Sequence, residues 1–374
     1  MQSLSRAWPV FIGSEIYRGS TYGPTHPLAV PRVSTVTDLC RAMGWLPEAR
    51  FLAAPMASED EVCRFHDRTY VRALAETERT QMVSEQSRAR FRIGADGNPV
   101  YPEIYRRPMT SAGGVLLAAS LTADGGIVFC PGGGTHHGRA DRASGFCYLN
   151  DPVLGILRWL DLGLSRVAYV DIDAHHGDGV QDAFAGDARV LTVSVHEDGS
   201  WPRTGAAADR AGGSARNFPV PAGFNDSEMR HVLHESIVPL VAAHRPDAIF
   251  LQAGADGLEE DPLSRLALSN NAHIEVMEAL RGLAPRLIVT GGGGYNPWTV
   301  ARCWASLWAT LLGVPIPPRT APAAEAVLRA LTYNRAAGRH PPAHWFTTLR
   351  DAPREGMVRP AVARLAAASL EEIV

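Results

Sequence analysis

The chain contains no lysine; all 36 basic residues among its 374 are arginine. A Schiff-base aldolase, a pyridoxal-phosphate enzyme and a P-loop phosphate binder each rely on a lysine amine, so those three classes are excluded. A basic surplus is missing too. With 39 acidic residues the formal net charge is -3, which argues against a general nucleic-acid binder. Cysteine is sparse: Cys40, Cys63, Cys130, Cys147 and Cys303 are scattered, and none forms C-x-x-C. Neither a disulfide framework nor a thiolate zinc site is expected, and reduced cysteines fit a cytoplasmic location. Long apolar runs are absent, since no uncharged stretch reaches the roughly 18 residues of a membrane span. Residues 304–318 come closest and read as a buried helix. Residues 1–11 lack the charged start and apolar run of a secretory signal.

What is present is alternation. Five short Val/Ile-rich runs, 126–130, 166–171, 190–195, 247–252 and 286–290, read as strands buried on both faces of a parallel sheet. Helical segments are expected at 109–121, 152–162, 227–243 and 272–283. This order predicts an α/β fold around a parallel sheet. Five prolines between residues 24 and 55 suggest a loop-rich segment over 1–60 around one helix. A proline-rich tail follows Leu312, with a helix at 323–331. There is no internal repeat or low-complexity linker, so residues 1–374 are expected to form one domain, with 1–60 and 313–374 packed on it.

Every one of the five predicted strands runs into a polar or glycine-rich cluster: PGGGTHH, DIDAHHGDG, HEDG, AGADG and GGGGYN. Ligands bind outside the carboxyl ends of parallel strands, so these distant clusters are expected to converge on one crevice. Asp173 and His175 sit two apart on an extended strand end and share a face. Asp256 would add a third ligand. Two carboxylates and one imidazole leave a position open, which is the pattern of a catalytic zinc site. His136 and His137 follow three glycines, where a general base is expected, with Asp171 and Asp178 available to orient them. Tyr295 ends the GGGGY run, and a phenol beside a metal can donate to a developing oxyanion.

These motifs are similar to those of the zinc-dependent histone deacetylase superfamily, particularly bacterial members of the acetoin-utilisation and acetylpolyamine-amidohydrolase type. GGGTHH, SGFCYLND, VDIDAHHGDGV, GADG-x-x-x-DPL and GGGGYN occur in the family's order, from about His26 to Trp304. The resemblance implies an arginase–deacetylase fold, with a single parallel sheet flanked by helices. It implies Zn2+ on Asp173, His175 and Asp256, with Fe2+ as the alternative ion. His136 and His137 would be the tandem histidines, paired with Asp171 and Asp178, and Tyr295 the oxyanion donor. Gly145, Phe146, Trp201 and Leu263 would line an acyl-lysine tunnel. Gly293 would also contact substrate, and Arg32 would stand at the floor of the acetate pocket. A structural K+ would lie at Asp171, Asp173, His175, Ser194 and Val195. The residues Asp96-Gly97-Asn98-Pro99 lie near, but out of register with, the rim aspartate that grips the substrate backbone in the family. Leu263 stands where polyamine-preferring members carry an acidic residue. Gly177 and Leu258 replace the second-metal aspartates of arginases.

The expected function is therefore metal-dependent hydrolysis of a linear amide, removing an acetyl or related acyl group from an amine. The expected partner is an acylated lysine peptide or protein, or a small acylated amine, with neither nucleic acid nor membrane. A polyamine or small-molecule deacylase and a non-catalytic acyl-ligand binding protein are the alternatives.

Overall fold

The computed structural model describes residues 9–369. The outer ends of the expected 1–374 unit, and most of residues 1–11, lie outside the described residues. Eight strands form one sheet: β1 (Val10–Gly13), β2 (Phe51–Ala53), β3 (Gly126–Cys130), β4 (Val167–Asp171), β5 (Val190–Glu197), β6 (Ala215–Val220), β7 (Ala248–Gln252) and β8 (Arg286–Thr290). Their order is β2-β1-β3-β8-β7-β4-β5-β6, and every pairing is parallel.

The near-continuous hydrophobicity of the central runs follows from burial on both faces. Val167 and Tyr169 of β4 join one core cluster, while Ala168 and Val170 join another. In β7, Ala248 and Phe250 face the first cluster, and Ile249 and Leu251 the second. Helices Arg106–Leu121 and Asp151–Asp161 cover the first face through Val115, Val153, Ile156 and Trp159. Helices Val33–Ala42, Asn270–Leu280 and Pro297–Leu312 cover the other through Val36, Leu39, Ile274, Trp304 and Trp308. Of the run 304–318, residues to Leu312 belong to the buried helix Pro297–Leu312, which Gly313 ends, and 313–318 are non-helical. Among the described residues, no helix is long and apolar enough to cross a membrane.

Three strands go beyond the sequence reading. The stretch before residue 60 supplies β1 and β2 as well as its helix, and β6 extends the opposite edge. The helix expected over 227–243 is broken into Asp226–Val232 and Val238–His244 by one wide turn at Leu233–Ile237. Pro239, which has no N–H to give, is the second residue of the latter piece.

Candidate active site

The carboxyl ends of β3, β4, β7 and β8 bring four of the five clusters together; the fifth, HEDG after β5, lines neither cavity of the site, and its His196 and Glu197 are bound to Gly205 and Arg265 instead. Asp173, His175 and Asp256 each offer a donor atom, and these atoms lie within 4.8 Å of one another. His175 Nδ1 stands 2.9 Å from Asp256 Oδ2 and 3.3 Å from Asp173 Oδ1. Backbone amides hold the outer oxygens. Ala174 N donates to Asp256 Oδ1 at 2.9 Å, and Gly293 N donates to Asp173 Oδ2 at 2.6 Å. A Cβ on Gly293 would stand 1.9 Å from Asp256 Oδ2, so that position admits only glycine. Burial works against charge on Asp173, but the His136 and His175 rings hold its carboxyl well below the usual range. Burial and the Asp173 charge push Asp256 upward. Burial also disfavours the His175 cation, yet its two carboxylates raise it well above its ordinary value. Two buried carboxylates on one imidazole keep a net negative charge even when the ring is protonated. That donor set suits a divalent ion such as zinc.

The PGGGTHH turn is fixed from beneath. Asp151 is fully buried and accepts Gly134 N at 2.7 Å, the Ser111 hydroxyl at 2.9 Å and the Thr135 hydroxyl. Asn150 caps the following helix by accepting Val153 N at 3.1 Å. Its amide donates to the carbonyls of His136 and Gly138 at 3.1 and 2.9 Å. So held, His136 Nδ1 reaches Asp171 Oδ2 at 2.7 Å, and His137 Nδ1 reaches Asp178 Oδ1 at 2.8 Å. Carboxylates accept only, so both Nδ1 atoms carry hydrogen and both Nε2 atoms face away from their partners.

The two rings differ electrostatically. Burial opposes charge on His136, but Asp171 and Asp173 raise it to about 9. Burial and the neighbouring His136 charge lower His137 to about 3, against the pull of Asp178. The carboxylates thus favour the cation on His136, while burial favours the neutral ring on His137. Burial opposes charge on Asp178, but His137 and Arg139 hold it at about 2.

Tyr295 is 7% exposed, and burial raises its phenol well above the usual range, so it remains a proton donor. Asp261 fixes its backbone, accepting Tyr295 N at 2.6 Å and Leu263 N at 2.9 Å. An outer slot lined by Gly145, Phe146, Trp201 and Leu263 leads to His137, His175 and Tyr295. Phe146 is held at φ 66, an uncommon conformation for a bulky residue. Asn98 Oδ1 accepts its N–H at 2.9 Å, and the Tyr22 hydroxyl donates to its carbonyl at 3.1 Å. A Cβ on Gly145 would stand 2.4 Å from the Trp201 ring.

Arg32 and Gly293 line an inner cavity behind these groups, and Arg32 Nη1 donates to the Gly292 carbonyl at 2.6 Å. Asp171 and Ser194 are cross-strand partners on β4 and β5, next to Val195. Asp171 is engaged by Tyr169 O–H at 2.7 Å and Asp173 N at 3.0 Å, while Ser194 Oγ donates to His196 Nδ1 at 2.9 Å. Asp96, in the stretch read as out of register with the family's rim aspartate, is among the residues that line the outer slot. A tight turn with Asp96 at φ 50 brings it there, and Arg92 pairs with it at 2.9 Å.

A parallel sheet with an Asp-His-Asp set, two carboxylate-paired histidines and a tyrosine at its strand ends defines a metallohydrolase-like class. The relatives make the class specific. Residues 26–311 match the histone deacetylase domain. Histone deacetylase 2 of Oryza sativa subsp. japonica is 38% identical over 302 residues, covering 78% of this chain and 59% of that protein. Histone deacetylase RPD3 of Saccharomyces cerevisiae is 34% identical, covering 76% of this chain and 67% of its own. The crystal structure of a histone deacetylase homologue complexed with SAHA superposes with a TM-score of 0.92 at 32% identity, covering 96% of this chain and 99% of that one. The homologue from Aquifex aeolicus gives 0.91 at 31% identity over the same shares. This chain belongs to the histone deacetylase family.

Proposed function

We propose that the chain, as one catalytic domain over 1–374, is a metal-dependent amidohydrolase that removes an acyl group from the amine of lysine. The observation that carries this reading is the convergence, at the base of one narrow slot, of a neutral histidine, a protonated tyrosine and a three-donor set. Asp173, His175 and Asp256 would hold Zn2+, and the same donors accept Fe2+. The ion, when bound, would polarise the amide carbonyl and acidify an attacking water.

The chain's own residues do the rest. Phe146 and Trp201 pass a slender alkyl chain and exclude bulk water. His137 Nε2 takes a proton from the attacking water, with Asp178 holding the ring's tautomer. The Tyr295 hydroxyl donates to the carbonyl oxygen as negative charge develops there. His137 then returns the proton to the leaving amine, and the cationic His136 beside it favours that transfer. Asp96 at the mouth is placed to accept a backbone N–H of the substrate. Asp171, Ser194 and Val195, with the carbonyl side of Asp173 and His175, are the proposed seat of a structural K+. A cytoplasmic location agrees with five free cysteines.

The test is acetate release from an acetyl-lysine peptide by purified, zinc-loaded protein. Turnover that a chelator abolishes and zinc restores is the expected result. Tight peptide binding without turnover would replace this reading with that of a binding protein.

A further inference from the structure

Behind the slot lies a partly open inner cavity. His136, His137, Gly293 and Tyr295 bound it on the near side, and Tyr17, Tyr22, Arg32 and Arg107 on the far side. Two guanidinium groups therefore face one space. Arg32 gives one N–H to the Gly292 carbonyl at 2.6 Å and lies over the Trp304 ring at 5.5 Å. Arg107 gives Nη1 to the Ser20 carbonyl at 2.6 Å and lies over the Tyr22 and Tyr17 rings at 4.9 and 5.6 Å. Among the described residues, neither arginine makes an ion pair, although most arginine–carboxylate pairs elsewhere in the molecule do so within 3 Å. The nearby Asp151 is fully engaged by the turn above it.

A guanidinium carries five donors, so each keeps N–H groups without a carboxylate to receive them. Two like charges, each half-buried, repel each other across this confined space. Rings and carbonyls alone do not neutralise them. The cavity thus has two guanidiniums against one lining carboxylate, Asp173, which the imidazoles and Gly293 N already engage, and its lining includes His136, His137 and Tyr295 of the candidate site.

We propose, resting on the amidohydrolase reading above, that this cavity receives the distal carboxylate of an ω-carboxyacyl group on lysine, such as succinyl or glutaryl, with Arg107 as the specificity-determining residue. Water adds to the amide carbonyl carbon and the C–N bond breaks. The proton goes to the lysine amine, and the acyl group leaves as a free dicarboxylate, with no oxidant or reductant needed. A neutral acyl chain of equal length would enter the same space and leave both guanidiniums unpaired. Passage of released acetate is the competing use of the cavity, and the experiment separates the two.

One peptide would be prepared with acetyl, butyryl, succinyl or glutaryl on its lysine, and kcat/KM measured with the zinc-loaded full chain. The expected result is that succinyl or glutaryl exceeds butyryl by about ten-fold or more, a difference one good charge-assisted contact supplies. Arg107→Gln should lower that ratio by about ten-fold. Calorimetric titration of succinate and butyrate into metal-free protein supplies a readout apart from turnover, with succinate the tighter ligand and Arg107→Gln erasing its advantage. Cleavage of acetyl and butyryl peptides but of neither carboxyacyl peptide overturns the proposal and leaves an exit path. An unchanged ratio in Arg107→Gln removes Arg107 from it, and if that variant does not fold, the wild-type ratio decides. Cleavage of no peptide sinks the amidohydrolase reading, while the calorimetry still judges the cavity.

Discussion

Single side chains carry the sharpest expectations. Tyr295→Phe keeps the ring and loses only the hydroxyl, so kcat on an acetyl-lysine peptide should fall by roughly two to three orders of magnitude with folding intact. His66 makes a pH prediction away from the candidate metal. It is fully buried, with Nδ1 donating to the Arg139 carbonyl and Nε2 accepting Asn150 N, each at 3.0 Å. Burial lowers it from 6.5 to about 4. The unfolded chain then binds more protons between those values. Stability is full above pH 6.5 and is lost as pH falls toward 4, by about 3 kcal/mol from this group. Urea unfolding at pH 7 and 4.5 measures the loss, and His66→Gln should flatten it. The tandem histidines, their aspartates and the three donors were legible in the sequence because they cluster at predicted strand ends. Arg107 was not, and Asp96 was noticed without being assigned a place in the site. Neither sits in a motif, and only a left-handed turn and a helix start bring them to the slot and the cavity.

At the level of elements, turns hold the chemistry in place. Gly293→Ala would drive a methyl group into Asp256, so zinc affinity measured by chelator competition should fall by at least about ten-fold. Asn150→Ala removes a helix cap and also frees two carbonyls of the histidine turn. A loss of about 1–2 kcal/mol is expected from the cap alone, read from thermal unfolding, with activity falling alongside it. The five central strands were readable because burial on both faces forces continuous apolar runs. The edges were opaque for physical reasons. β2 has three residues and is partly exposed, and β6 carries Arg216, Asn217 and Pro219 within six residues. Short or polar edge strands are suited to discouraging further pairing, and the same property hides them from pattern reading.

Across the whole molecule, the carboxy-terminal tail is tied to the core. Arg302, at 0% exposure on the central Pro297–Leu312 helix, pairs with Asp351 at 2.6 Å and also donates to the Thr348 and Arg350 carbonyls. Asp351→Ala would leave that guanidinium buried without its partner, at a cost of about 3–5 kcal/mol in denaturant unfolding.

The rooting of the candidate ligands in the sheet has a dynamic consequence. The amides of Ile172, Ala253 and Ala255 bond across to Gln252, Thr290 and Gly293, interleaving the ligand segments with the ends of β7 and β8. Their hydrogen exchange should require opening of the whole sheet, while the Trp201 side of the slot, 46% exposed, breathes freely. The molecule thus separates two clocks, a fast one at the mouth of the slot and a slow one at the backbone of the candidate ligands, and the slow one runs at the rate of sheet opening.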